Sequence, residues 1–315
     1  MRTATLVAAL VTAVAAGELV LLYRQYLLVE AHQQATEQAQ PYGGALTAAM
    51  ARRVALLQGF ASFLRVSPQL MRDSARLEEY VREVRATTRG VRAFEVVEGG
   101  HITVLAPRVG NESALGLDIR HHPDAEVRTK FLRAEAADVV TVTGPFELRQ
   151  GGSGLVLRQR FRVREGEAVK VAALVLDFEP LLAEAGLGEA AGISFAVVGA
   201  GRRVLAGDSA VVARDPAVIG VTLPDDRWQL LVAPRQGWFA SIRLRFLLFA
   251  LGAVLSGALL VVVVHLVASR QAALQVAVGE RTRELSEAVA RLEEEARQRE
   301  GTEEQLRQSQ RLESL

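Results

Sequence analysis

The 315-residue sequence predicts an α+β protein in which a long helix and two mixed sheet modules lie between two transmembrane helices, followed by a coiled coil. Three observations predict this fold class. The run 246–268 contains no Asp, Glu, Lys or Arg and slightly exceeds the ~20 apolar residues that span a bilayer. A weaker apolar run covers residues 3–23. The chain between the two runs shows helical and strand patterns in turn.

The composition excludes several classes of function. The formal net charge is +1, so bulk electrostatics give no reason to expect a nucleic-acid partner. The chain has no cysteine, which excludes disulfides, thiolate metal sites and a cysteine nucleophile. We find no Ser/His/Asp order with a local catalytic signature and predict no catalytic residue. The region of about 220 residues between the apolar runs is large enough to fold around its own core.

Changes of pattern divide the chain into six predicted segments: 1–23, 24–88, 89–186, 187–243, 244–268 and 269–315. The first is a transmembrane anchor or a cleaved signal peptide. Glu18 interrupts it, and we favour the anchor because apolar residues resume at Leu19. A large domain between two spans is most often exported, so we predict that residues 24–243 are extracytoplasmic and that the last segment is cytoplasmic.

The exported segment begins with a helical pattern and continues with two clusters of strands. We predict a helix over 25–64, with a break or kink at Pro41, Gly43 and Gly44, and a second helix over 74–85. The first cluster begins with a hairpin, AFEVV and HITVLAP. A polar helix over 123–137 follows, and then three further strands, DVVTVTGPFEL, GLVLRQRFRV and KVAALVLDF. The last is apolar on both faces, which predicts a central strand. The second cluster contains ISFAVVG, RRVLAG and WQLLVAP.

After the second span, apolar residues repeat with a spacing of seven, at Val278, Leu285, Leu292 and Leu306. Arg299 and Glu303 are polar members of the same seam. This pattern predicts a two-stranded coiled coil, and hence a homodimer. Leu312 and Leu315 fall one residue out of register, and nothing in the sequence breaks a helix from the second span to residue 315.

Two stretches carry a resemblance to known families. LGLDI, the polar helix, VTGPFELRQGGSGLVLRQRFRV and VAALVLDFEPLL, over roughly residues 90–185, resemble the CHASE sensor domain. The C-terminal RTRELSEAVARLEEEARQREGTEEQLRQSQRLESL resembles the linker that precedes the phosphoacceptor helix of sensor histidine kinases. The resemblance implies a dimeric receptor with two PAS-like modules and a small ligand in the membrane-distal one. The phosphoacceptor His and the ATP-binding motifs would lie beyond Leu315.

Three residues are candidates for binding a ligand. Alternation along GLVLRQRFRV puts Arg158 on one face with Val156, Arg160 and further arginines. That face is either solvated, which we favour, or an anion clamp, since Arg grips a carboxylate bidentately. The resemblance singles out Arg158 and also Asp118, whose alternative role is to cap a turn or helix. Thr143 could line the same pocket or belong to an ordinary turn.

His121 and His122 invite a metal interpretation, but adjacent side chains diverge and no third ligand is evident, so we favour a surface turn and predict no metal. The predicted function is to bind a small ligand outside the bacterial inner membrane. The signal is then passed through the coiled coil to a histidine kinase. That output implies ATP, Mg²⁺ and a response regulator as partners of the missing part. A diguanylate cyclase input module and a membrane-anchored binding module without enzymatic output are the alternatives.

Overall fold

A computed structural model describes residues 2–148, 151–189 and 192–313, which form two compact units. The first unit contains the chain up to Leu27 and from Arg243 onward, and the second contains Leu28–Ile242. Helix α1 covers Arg2–Val66 and helix α5 covers Trp238–Glu313. Both are long and apolar enough to cross a membrane, and their most apolar windows are not buried by protein. The prediction of two long apolar helices at the ends of the sheet region is confirmed.

In the first unit the two apolar helical segments contact each other through small side chains and one aromatic pair. The rings of Tyr23 and Phe249 stack with their centroids 3.9 Å apart. A Cβ added at Gly257 would lie 3.4 Å from Thr12 Cγ2, an ordinary van der Waals contact. Small residues at such positions allow helices in a membrane to approach closely. The predicted coiled coil is a continuous helix as far as Glu313, its apolar seam residues up to Leu292 are exposed, and Leu315 lies outside the described residues.

Of the predicted break or kink near Pro41, the break is wrong, because α1 continues through Pro41. The neighbouring Gly43 has a different role, which is packing. A Cβ at this position would lie 2.5 Å from the Cγ2 atom of Ile219, so only glycine lets α1 approach the second sheet this closely.

We expect Gly43→Ala to lower the free energy of unfolding of the second unit by about 1–3 kcal/mol, because the added methyl overpacks the contact with Ile219. Both tryptophans of the chain, Trp228 and Trp238, lie in that unit, so urea unfolding followed by tryptophan fluorescence measures it. Combining Gly43→Ala with Ile219→Ala should cost less than the sum of the two single substitutions, because the smaller side chain leaves room for the added methyl. Gly44→Ala, which would meet nothing within 4 Å, is the matched control. Equal costs for the two glycines would contradict the packing role.

The first module of the second unit is a five-stranded antiparallel sheet in the order β2-β1-β5-β4-β3. Its strands are β1 Val91–Glu98, β2 His101–Ala106, β3 Thr141–Glu147, β4 Ser153–Phe161 and β5 Lys170–Asp177. The predicted hairpin and the predicted central strand, β5, are confirmed. Helix α2, Ser74–Thr87, precedes the sheet, and α3, Ala125–Ala136, begins after Asp124, whose side chain accepts hydrogen bonds from the first turn.

The second module is a four-stranded antiparallel sheet in the order β7-β6-β9-β8. It follows helix α4, Phe178–Glu184, and contains β6 Ile193–Val198, β7 Val204–Gly207, β8 Ala217–Thr222 and β9 Arg227–Pro234. The sequence prediction omitted β8, which is short and begins directly after Pro216. Its residues alternate strictly between buried and exposed, with Ala217, Ile219 and Val221 inward, and this alternation is the signal that could have identified it.

Both faces of the first sheet are covered. One cluster of buried residues joins the odd-numbered side chains of β4, such as Leu155 and Leu157, to Leu57 and Phe60 of α1. A second cluster joins the opposite face to α3, through Val156, Ala173 and Phe131. The sheet therefore lies between two layers, and neither face of its central strands is exposed to water.

Candidate functional site

A small cavity of about 70 Å³ lies on the α3 side of the first sheet. Its wall is largely apolar and includes Ile102, Leu117, Ile119, Val127, Phe146 and Val175. Four polar residues also line it: Glu95, His122, Glu147 and Arg158. A space of this size holds several water molecules or the charged head of a small ligand.

Arg158 lies on β4 and is only 3% exposed. Its Nη1 atom donates a hydrogen bond to Thr143 Oγ1 at 2.9 Å, and its buried Nε has no partner. The favoured prediction of a solvated face is therefore wrong at this position, because α3 covers the sheet there. The expectation holds further along the strand, where Arg162 and Arg164 are exposed. The structure brings two predicted site residues, Arg158 and Thr143, into contact.

Glu95, which the sequence prediction missed, faces the same cavity from β1 and is 4% exposed. In the strand register, Glu95 is opposite Ala173 of β5, and Ala173 is opposite Arg158 of β4. The small side chain of Ala173 thus separates a buried carboxyl from a buried guanidinium on one face. Among the described residues, no hydrogen bond or ion pair joins Glu95 to Arg158. An acidic residue inside the apolar run AFEVV was the available signal.

The two charges differ from ordinary surface groups because both are buried. Burial raises the pKa of Glu95 to about 7, against the opposing effect of the Arg158 charge. Burial likewise lowers the pKa of Arg158 to about 10, against the opposing effect of Glu95. Near neutral pH Glu95 is therefore ionised in part of the molecules, while Arg158 stays charged. The site can offer a cation together with a titrating carboxylate.

Asp118, the third predicted residue, is not among the cavity-lining residues. Its carboxylate accepts a hydrogen bond from His121 N at 3.1 Å and lies 2.8 Å from His121 Nδ1. The hydrogen bond from the His121 side chain lowers the pKa of Asp118. This geometry is that of a turn cap, and the neighbours Leu117 and Ile119 contact the cavity instead. Within the described ranges, no group of three His, Cys, Asp or Glu residues could hold a metal ion.

A larger cavity, about 650 Å³, lies between α1, the end of α2 and α4. Its one fully buried cation, Arg53, is already paired with Glu184, which also accepts a hydrogen bond from Arg52. The hydrogen bond from Arg53 is the largest cause that lowers the pKa of Glu184 to about 2. This ion pair ties α4 to α1, so the charges here serve the fold.

No protein-family model matches the sequence, and no curated protein matches it. Solved structures do match. The ligand-binding domain of the Pseudomonas fluorescens chemoreceptor CtaA in complex with L-isoleucine has a TM-score of 0.50 and 16% identity, covering 70% of this chain and 98% of that one. The extracellular domain of soHK1S-Z6, a proposed histidine kinase, has a TM-score of 0.48 and 10% identity, covering 70% and 99%.

An extracellular ligand binding receptor from Desulfohalobium retbaense has a TM-score of 0.43 and 14% identity, and the match covers 65% of this chain but only 39% of that one. The match with a TM-score of 0.50 shows that this chain shares its fold with a chemoreceptor ligand-binding domain, and the chain also contains two candidate membrane helices. The narrower resemblance to CHASE is not matched by any family model.

Proposed function

We propose that the chain is the sensory part of a membrane receptor that binds a small zwitterion in the cavity between Arg158 and Glu95. The observation that carries this proposal is two buried, oppositely charged side chains that face one cavity without pairing. A ligand carboxylate would receive hydrogen bonds from Arg158, whose fork suits that geometry. A ligand ammonium would bind the Glu95 carboxylate. Each charge then gains the partner that it lacks, which offsets the cost of burying it.

The sequence predicts an anionic ligand, and the proposal narrows this class to ligands that also carry a positive charge. The ligand named for the CtaA domain, L-isoleucine, is a zwitterion of this kind. Asp118 belongs to the proposal only as a residue that shapes the loop beside the cavity.

The second part of the proposal, transmission of the signal across the membrane, rests on the two long helices α1 and α5. Residues 24–243 would be outside the inner membrane, and the signal would pass through α5 to a CHASE-type histidine kinase with its ATP, Mg²⁺ and response regulator. The exposed apolar seam from Val278 to Leu292 supports a homodimer, because such a seam is stable in water only against a partner helix.

Three probes test the ligand class: glycine, acetate, which lacks the ammonium group, and methylammonium, which lacks the carboxylate. The full chain in lipid nanodiscs is heated at pH 8, and unfolding of the second unit is followed by the fluorescence of its two tryptophans. Glycine should raise the unfolding temperature, with an added free energy of unfolding of about 2.7 kcal/mol at a hundredfold excess over Kd, and neither one-charge probe should match it. Equal stabilisation by acetate would show that the site binds an anion through Arg158 and that Glu95 takes no part. No shift with any probe would overturn the assignment of the site.

A further inference from the structure

The turn between β8 and β9 places a buried carboxylate against the first module. The Asp225 side chain is only 1% exposed. It accepts a hydrogen bond from Lys130 Nζ at 2.7 Å and another from the backbone N–H of Val142 at 2.9 Å. Strand β3 is at the edge of its sheet, so the Val142 N–H has no neighbouring strand and Asp225 takes the place of one.

Both partners of Asp225 are next to the cavity. Val142 precedes Thr143, the hydroxyl that accepts the hydrogen bond from Arg158. Lys130 lies on α3, the helix that contributes Val127 to the cavity wall. A second residue of the same module, Arg203, contacts the same two elements: it donates to Pro145 O at 3.2 Å and lies 3.3 Å from Glu126 Oε2.

We infer that Asp225 is a positioning residue for the cavity, which holds β3 and α3 in place from the second module and so couples the cavity to the β8–β9 turn. The inference rests on the cavity being the ligand site of the proposed function. One carboxylate thus holds both β3, which carries Thr143, and α3, which contributes Val127 to the cavity wall, so a displacement of either element should reach the β8–β9 turn. Reciprocity requires the coupling to be equal in both directions.

The experiment is hydrogen exchange on the full chain in nanodiscs without ligand, so it does not depend on the glycine result. The exchange rate of amides in 222–228 is taken relative to amides of the second unit that are remote from both sites, which report its overall loss of stability. Arg158→Met should raise this relative rate at least about fivefold. In the Asp225→Asn background the same substitution should change the relative rate by less than twofold. Asp225→Asn by itself should speed exchange over 140–147, whereas Asp226→Asn, whose carboxylate only bonds the N–H of Arg227, should not.

Thr143→Val provides a milder cavity variant if Arg158→Met does not fold. A purely structural Asp225 would add its effect to that of the cavity variant, and the change at 222–228 would persist in both backgrounds. That additivity would overturn the inference. So would an unchanged exchange rate of 222–228 when the cavity variant is made in the chain that keeps Asp225.

Discussion

Replacing Arg158 by Met should lower the free energy of unfolding of the second unit by about 3–5 kcal/mol at pH 8 and abolish stabilisation by glycine. The substitution leaves Glu95 as a buried carboxylate without the opposing charge across Ala173. It also leaves the Thr143 hydroxyl without its donor. Urea unfolding followed by tryptophan fluorescence measures the loss.

Arg162→Met is the matched control, since Arg162 follows the same strand and is exposed. It should change the free energy of unfolding by less than about 0.5 kcal/mol. Adding Glu95→Gln to Arg158→Met should recover much of the loss, because a neutral pair no longer leaves a charge buried alone. A cost for Arg158→Met no larger than that of Arg162→Met would show that the two charges do not share the cavity.

The pH dependence of stability and of glycine binding should run in opposite directions, both through Glu95. Its folded pKa of about 7 exceeds the ordinary value of 4.5, so the folded state binds the proton more tightly. The resulting stability is fully present below pH 4.5 and is lost as the pH rises through 7, on the order of 3 kcal/mol in all. Glycine needs the ionised carboxylate, so its affinity should rise about tenfold per pH unit up to pH 7 and then level off.

Glu95→Gln should remove both dependences, measured by urea unfolding and by calorimetric titration with glycine between pH 5 and 8. Glu98→Gln, on the same strand but partly exposed and paired with Lys170, should leave both unchanged. His122 also lines the cavity. A pH profile that survives Glu95→Gln but disappears in His122→Gln would assign the titration to the histidine instead.

Much of the fold follows from local patterns. Apolar length identifies the two long end helices, local strand patterns identify eight of the nine strands, and apolar residues on both faces identify the central position of β5. These features depend on residues a few positions apart, which is why periodicity reports them. Strand β8 carries the same kind of local alternation and was omitted all the same, whereas the uninterrupted helix at Pro41 depends on a distant partner. The contact of Gly43 with Ile219 holds the helix against the sheet at that point.

The candidate site, like the fold, has features that local sequence patterns predict and features that depend on tertiary contacts. The sequence by itself determined that Arg158 and Thr143 were on neighbouring strands, and that an Arg-rich face was either solvated or a clamp. Only the tertiary structure decided between them, because α3 covers one part of that face and leaves Arg162 in water. The register across three strands then set Glu95 opposite Arg158 with Ala173 between them. Strand pairing joins residues that are far apart in the sequence, so no local pattern contains it. A one-residue shift in register would move the side chains to the opposite face of the sheet.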